Sequence, residues 1–359
     1  MRDREVRCIT GGMHPPTVEE RSTTGALTAA PEPSTTQDDG RFRRGAIGRL
    51  VAIREAGTLV ALVVLCVALS VTSPYFFTLR NIFNVLQGMS TIGIMAIGAT
   101  MVLIVGGLDL SVGSVMAVGA VVAARLMTYD GVNPWLAAAG GLGAGLVFGL
   151  LNGLLVTRAR IVPFIVTLGT LSVGRGLAYL FATGPAGVAS NVPMRDAGVG
   201  FLGAGYVGPV PMPVIIMLAL VAVAALFLAN TVLGRQIYAV GSNLRAARLC
   251  GIPVDRVQCF TYVAAGGLSA LAGVVSTGLL STASTNLGQG VELDVIAAAV
   301  IGGTSLSGGE GTVVGTVLGA AIMAVVRNAF VLLGLPLHFQ TMIIGFVILL
   351  AVGLDRRRH

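Results

Sequence analysis

From about residue 56 to 354 the chain alternates long apolar runs with short polar or glycine-rich breaks. A helix needs about 20 apolar residues to cross a bilayer. Runs of this kind lie at roughly 56–72, 85–106, 111–128, 134–157, 161–182, 211–230, 258–280, 291–305, 312–333 and 338–354. The pattern predicts an all-α, polytopic transmembrane protein of about ten spans. The eighth run is short, and the second and third are barely separated, so roughly eight to eleven spans fit the pattern. Residues 1–50 read differently. They are rich in Thr, Pro, Glu and Asp up to residue 40 and show no apolar period, which predicts a disordered tail on a membrane domain covering 51–355. A regulatory arm and a start site assigned too far upstream are equal readings of that tail.

Composition supports the membrane reading. The chain is 55% hydrophobic and only 11% charged, with 50 glycines. Soluble domains carry about a quarter charged residues. An Ala/Gly-rich soluble enzyme is excluded by the length of the apolar runs. The net charge of +7 does not point to nucleic acid, because the arginines sit at the ends of apolar runs rather than on one face. Arg41, Arg43, Arg44, Arg49 and Arg54 precede the first run and anchor it. With the N-terminus inside, Arg158, Arg160, Arg235, Arg245, Arg248, Arg256 and the tail Asp355–His359 fall inside as well, and both termini are cytoplasmic. The outward loop 183–210 holds only Arg195 and Asp196. Arg125, Arg175 and Arg327 lie near run ends and are expected to snorkel. The sequence has no lysine, which excludes a P-loop and Schiff-base chemistry. Cys8, Cys66, Cys250 and Cys259 form no CxxC pair and are expected to be free thiols without a metal.

Two breaks echo each other. GGLDLSVGSVMAVG (106–119) aligns with GGTSLSGGEGTVVG (302–315) at half of its positions. The copies are an even number of spans apart and should point the same way. Paired glycines permit a sharp break. Ser307 and Glu310 have capping-box spacing, and Asp109 or Ser111 is expected to cap the third run. Three roles are open to Asp109: a cap, a pathway or gating residue, or a proton-coupling acid. The last is disfavoured because no second acid lies near it in sequence; Glu292 and Asp294 stand at the mouth of another run. Gly311, Gly315 and Gly319 form one helical stripe, read first as close packing and second as a pore lining. Asn84, Gln87, Asn152, Asn286, Gln289, Asn328 and Gln340 are the polar side chains available to a solute path.

The connection 231–257 carries Arg235, Arg245, Arg248 and Arg256. NLRAARLCGI predicts a short helix with Asn243 as cap and Gly251 and Pro253 as stops. Ala247 and Cys250 share a face with Leu244 and Gly251, and Arg245 and Arg248 share another. A partly apolar helix outside the bilayer needs a cover, either lipid or a partner protein.

Three stretches, GGLDLSVGSVMAVGAVVAA (106–124), GRQIYAVGSNLRAARLCGI (234–252) and ELDVIAAAVIGGTSLSGGEGTVVGTVLGA (292–320), resemble the permease subunits of bacterial ABC importers of the ribose, xylose, arabinose and galactose class. The resemblance covers about 56–355. It implies an importer-type permease fold in the bacterial plasma membrane and import of a monosaccharide by alternating access. It also implies a second permease subunit, separate ATPase subunits holding ATP and magnesium, and an extracytoplasmic sugar-binding protein. No cofactor belongs to this chain, and it is not itself an enzyme. The residues matching the ATPase-coupling loop are Asn243, Ala246, Ala247, Arg248, Gly251 and Ile252. Those matching the glycine-rich turns are Gly106, Gly107, Asp109, Ser111 and Gly113, then Gly302, Gly303, Thr304, Ser305, Gly308 and Gly309; Ser307 and Glu310 lie in the same turn. Ser242 stands where the family usually has glycine, and Cys250 where it often has serine. A related permease for nucleosides, autoinducers or branched-chain amino acids is the alternative. An ion-coupled transporter is disfavoured by the scarcity of ionisable groups in the runs.

Overall fold

The computed structural model describes residues 39–336, except 185–186, 188–190 and 195, and a few positions from 339 to 346; side chains are described from Glu55 onward. The first helix, α1 (Asp39–Thr72), begins inside the stretch expected to be tail, and its apolar part is Glu55–Thr72. Then come α2 (Leu79–Ile104), α3 (Val112–Thr128), α4 (Pro134–Thr157), α5 (Pro163–Ala182) and α6 (Ala197–Ala204). They are followed by α7 (Met212–Asn230), α8 (Val232–Ser242), α9 (Leu244–Leu249), α10 (Val254–Leu280), α11 (Val291–Ile301) and α12 (Val313–Leu332). Short strand pairs tie loops together. β1 (Val192–Pro193) pairs with β4 (Thr282–Ala283), and β2 (Tyr206–Val207) with β3 (Val210–Pro211).

Helix starts follow local chemistry. The hydroxyls of Thr78, Thr231 and Thr312 accept the N–H of Asn81, Gly234 and Gly315, and proline opens α4 and α5, where its missing N–H costs nothing. Thr312, not the expected Ser307–Glu310 box, caps α12. The helix starts five positions later than the repeat alignment implies, after the Ser305 N–H has bonded to the Glu310 carbonyl.

Among the described residues, seven helices are long and apolar enough to cross a membrane. Two of the apolar runs form shorter helices. Runs 111–128 and 291–305 form α3 and α11, about 25 Å and 16 Å long by helical rise, short of the ~30 Å hydrocarbon core. The run at 338–354 lies mostly outside the described residues.

The interior is built on α2 and α10. On α4, Gly141, Gly145, Gly149 and Gly153 recur every fourth residue. A Cβ at Gly149 would run into the Tyr262 carbonyl and Val263 of α10, and one at Gly145 into Gly266 and Ala270. The two backbones touch, the closeness that drives helix association where burial in lipid supplies no hydrophobic gain. The stripe on α12 packs likewise: Gly315 faces Gly302, and Gly319 faces Ala298 of α11. Outward faces are apolar, as with Val60, Val63, Val64 and Val67 on α1 and Val147, Leu150 and Leu154 on α4.

The three arginines expected to snorkel instead find partners in the protein. Arg125 donates to the Phe181 and Thr183 carbonyls, Arg175 to those of Thr285 and Leu287, and Arg327 to Asp294, which is buried. In lipid an unpaired guanidinium is costly, and a carbonyl or carboxylate within reach removes that cost.

A bulky residue at the α4–α10 contact should overpack it. Gly149→Val is expected to destabilise the detergent-solubilised chain by about 1–3 kcal/mol, read as a lower thermal midpoint. Gly143→Ala, which faces open space on the same helix, should be neutral or slightly stabilising.

Candidate functional site

The connection expected to couple is built as the sequence predicts. Asn243 Oδ1 accepts the Ala246 N–H at 3.0 Å and starts α9. Gly251, at φ +77°, ends it in a left-handed cap, with the Ile252 N–H returning to the Ala247 carbonyl. Arg245, Ala246, Arg248 and Gly251 are exposed, and Arg248 lies 3.5 Å from Asp255. Ala247 faces inward. It is buried against Ile237, Val240 and Val254, so it fastens α9 to the bundle and leaves the outer side to others. Leu249, 90% exposed, was not singled out by sequence reasoning. A leucine on the charged side of a six-residue helix carried no periodic signal.

The end of α8 plugs into both glycine-rich turns. A Cβ on Gly241 would collide with the Ile104 carbonyl and stand 2.6 Å from the Gly309 nitrogen. The Gly309 N–H donates to the Ile104 carbonyl at 2.8 Å, and Gly308 lies on Gly106. The Tyr238 hydroxyl donates to the Gly311 carbonyl at 2.8 Å. Burial pushes this phenol's pKa up, which keeps the donor proton in place. Gly106, Gly308 and Gly309, far apart in sequence, are thus gathered at the end of α8. Both turns open with a left-handed glycine, Gly106 at φ +79° and Gly303 at φ +92°, and with the same backward bonds, Gly107 N–H to Val102 and Thr304 N–H to Ala299. The two helices end alike, one residue out of register with the sequence echo, which aligns Gly106 with Gly302. A cavity of about 320 Å³ opens between Gly107, Leu108, Phe164 and Leu306.

Asp109 does not cap α3 through its first turn. Its Oδ1 accepts both the N–H and the hydroxyl of Ser111, at 2.8 and 2.6 Å, and Asn152 donates to that hydroxyl at 2.9 Å. All three residues are buried, so this cluster fixes the turn 105–111 and does not line an open path. Ser305 and Thr304 are also buried, whereas Ser307 is exposed.

The two ends of the turn 105–111 join different apolar clusters. Val112 packs among Met95, Ala96 and Ala99, whereas Ile104 packs with Ile237 and Val240. From the other end, the segment 284–290 descends without helix until Gly288 reaches Gly113. A Cβ on Gly113 would meet the Gly288 carbonyl and stand 2.6 Å from Glu292 Oε2. The N-termini of α3 and α11 therefore face one another inside the bundle. Glu292, distant in sequence, is brought against Gly113 at the start of α3. Acids in the first turn of α11 suit its positive end.

These are the features of a polytopic membrane protein with half-length helices meeting inside it. Two further comparisons give it a family. Residues 81–352 match the family model described as "Branched-chain amino acid transport system / permease component". The Ribose import permease protein RbsC of Escherichia coli (strain K12) is 40% identical over 310 residues, 86% of this chain and 95% of that protein. RbsC of Bacillus subtilis (strain 168) is 40% identical over 308 residues, 85% and 94% of the two chains. The L-arabinose ABC transporter permease protein AraH of Azospirillum brasilense is 38% identical over 317 residues, 88% and 91%. No solved structure matches significantly. The chain belongs to this permease family, and it is a multi-pass membrane protein.

Removing the Asp109 carboxylate leaves the buried N–H of Ser111 without its acceptor. Asp109→Ala should lower stability in detergent by about 1–3 kcal/mol, and Asp109→Asn, which keeps an acceptor oxygen, by less. Equal thermal midpoints for the two variants would contradict the assignment.

Proposed function

We propose that this chain is the membrane-spanning subunit of an ATP-driven monosaccharide importer in the bacterial plasma membrane. The similarity to ribose and L-arabinose permeases over nearly their whole length carries the substrate class. It pairs with a second permease subunit, two cytoplasmic ATPases that hold ATP and magnesium, and an extracytoplasmic sugar-binding protein. Lipid covers the apolar faces of α1 and α4. On α5 the exposed stripe Gly169, Ser172, Gly176 and Tyr179 lies beside exposed Ile165, Leu168 and Val173, a mixed small, polar and apolar face that suits a second permease.

Orientation follows from charge. Arg235, Arg245, Arg248 and Arg256 lie on or beside α8 and α9, at the end that also holds the glycine-rich turns and the start of α5 beside Arg158 and Arg160. That end is cytoplasmic by the positive-inside rule, which places both termini inside. The strand pair β1–β4 and the Arg125 contacts then mark the outer end.

The mechanism is alternating access. A loaded binding protein docks on the outer loops, and ATP draws the ATPases together. The exposed side of α9, with Ala246, Arg248, Leu249 and Gly251, rides in an ATPase groove. Ala247 and Ile252 anchor it to the bundle, so its displacement passes through Gly241 and Tyr238 into the turns 105–111 and 302–312. These turns hold the inner ends of α2 and α11 and the starts of α3 and α12, and their shift opens one side as the other closes. A neutral path without a deep well lets the sugar leave.

The observation that carries this reading is the joint contact of α8 with both glycine-rich turns. The test is the assembled transporter in proteoliposomes. Leu249→Asp and Arg248→Glu should each weaken ATPase association about tenfold or more, a loss of about 1.4 kcal/mol, read by co-purification, with normal membrane yield and reduced D-ribose or L-arabinose uptake. Unchanged association and uptake in both variants would contradict it. Uptake of leucine in place of either sugar would move the substrate to the amino acids.

A further inference from the structure

The segment 284–290 is non-helical where it enters the bundle. Its ends are fixed: Thr282–Ala283 pairs with Val192–Pro193, and Gly288 rests on Gly113 and Met116 of α3. Gly113 is fifteen residues before Thr128, the last residue of α3, so Gly288 lies about 22 Å along that helix from its outer end. Leu287 packs on the α3 residues Val115, Met116 and Val118. Non-helical backbone this deep requires a partner for each carbonyl. Arg175, in the middle of α5, supplies it by donating to Thr285 at 3.2 Å and Leu287 at 2.7 Å. The segment is thus held rigidly from behind.

Its front is polar and uncovered. Asn286, Gln289 and Gly290 are exposed, next to the exposed α5 residues Ser172, Gly176 and Tyr179. The Tyr179 hydroxyl donates to Asn286 Oδ1 at 2.9 Å, which fixes the amide and turns its NH₂ away from Tyr179. Lipid offers such groups nothing, whereas the exposed stripes Val60, Val63, Val64 and Val67 of α1 and Val147, Leu150 and Leu154 of α4 are aliphatic. A fixed backbone that presents two neutral amides, each both donor and acceptor, matches a neutral polyol. It lacks the charge that would hold a carboxylate or phosphate, because Arg175 is engaged with the carbonyls behind the segment.

We propose that Asn286 and Gln289 on the re-entrant segment 284–290 are hydrogen-bonding contacts for sugar hydroxyls along the path. The proposal rests on the importer reading and adds the residues that contact the sugar.

The test uses the complete transporter with its ATPases and binding protein in proteoliposomes. Asn286→Ala combined with Gln289→Ala should lower D-ribose and L-arabinose uptake at saturating binding protein at least about fivefold and change the ratio between the two sugars. Wild-type rates and ratio in that double variant would overturn the proposal. A second measurement does not depend on the cargo. Asn286→Cys and Gln289→Cys, in a background with Cys8, Cys66, Cys250 and Cys259 changed to Ser, should react with a membrane-impermeant maleimide added on the binding-protein side, and bound substrate should slow the reaction. Failure of both positions to label would overturn the proposal even in a transporter that moves sugar. If the wild type moves neither sugar, the importer reading falls with its ligand, whereas labelling still establishes or removes the water-lined wall.

Discussion

Inside a bilayer, a backbone N–H or C=O that leaves a helix has no water to bond, and the protein must answer every such group itself. The connections of this chain show how that constraint is met. Left-handed glycines at Gly106 and Gly303 close α2 and α11 on themselves. The Gly309 N–H takes the last carbonyl of α2, Tyr238 takes that of Gly311, and Arg175 takes those of Thr285 and Leu287. Each break lies where another part of the chain supplies a partner, so the breaks cannot be placed independently of one another.

The same constraint explains why glycine gathers at certain points. At Gly241, Gly309 and Gly113 the backbone of one segment lies directly on another, and any side chain would separate groups that must bond. Such junctions are stiff in each arrangement, and only a limited set of arrangements satisfies all the bonds, which favours discrete states over gradual deformation. A short helix anchored by Ala247 to this junction can therefore transmit displacement rather than absorb it. The hydrogen bonds of Ser111 to Asp109, and the pairing of Arg327 with Asp294, add polar locks that give the buried acids partners inside the bundle.

Much of this was legible in the sequence because it rests on local rules. Apolar run length placed the seven long helices, and Asn243 with Gly251 marked both ends of α9. What the sequence hid depends on contacts between distant residues. Runs at 111–128 and 291–305 are apolar, yet α3 and α11 are shorter than a full crossing, each preceded by non-helical backbone at 105–111 and 284–290. The glycines of 286–290 and the polar residues around them signalled a break, but not its depth. Arg175 and Arg327 looked like surface anchors because their partners, Leu287 and Asp294, lie far away in the chain. The α4 stripe of Gly141, Gly145, Gly149 and Gly153 was as readable as the stripe on α12, and only its contact with α10 gave it weight.

The central claim is that α9 and the glycine-rich turns move as one body. Pulsed electron–electron distance measurements between spin labels at Arg245 and Leu306, made in the assembled transporter without nucleotide and with a trapped ATP state, test it most directly. The account predicts an unchanged Arg245–Leu306 distance within one subunit while the Arg245 distance between the two permease subunits changes. An intramolecular distance that shifts as much as the intersubunit one would show α9 swinging free of the turns and would contradict it.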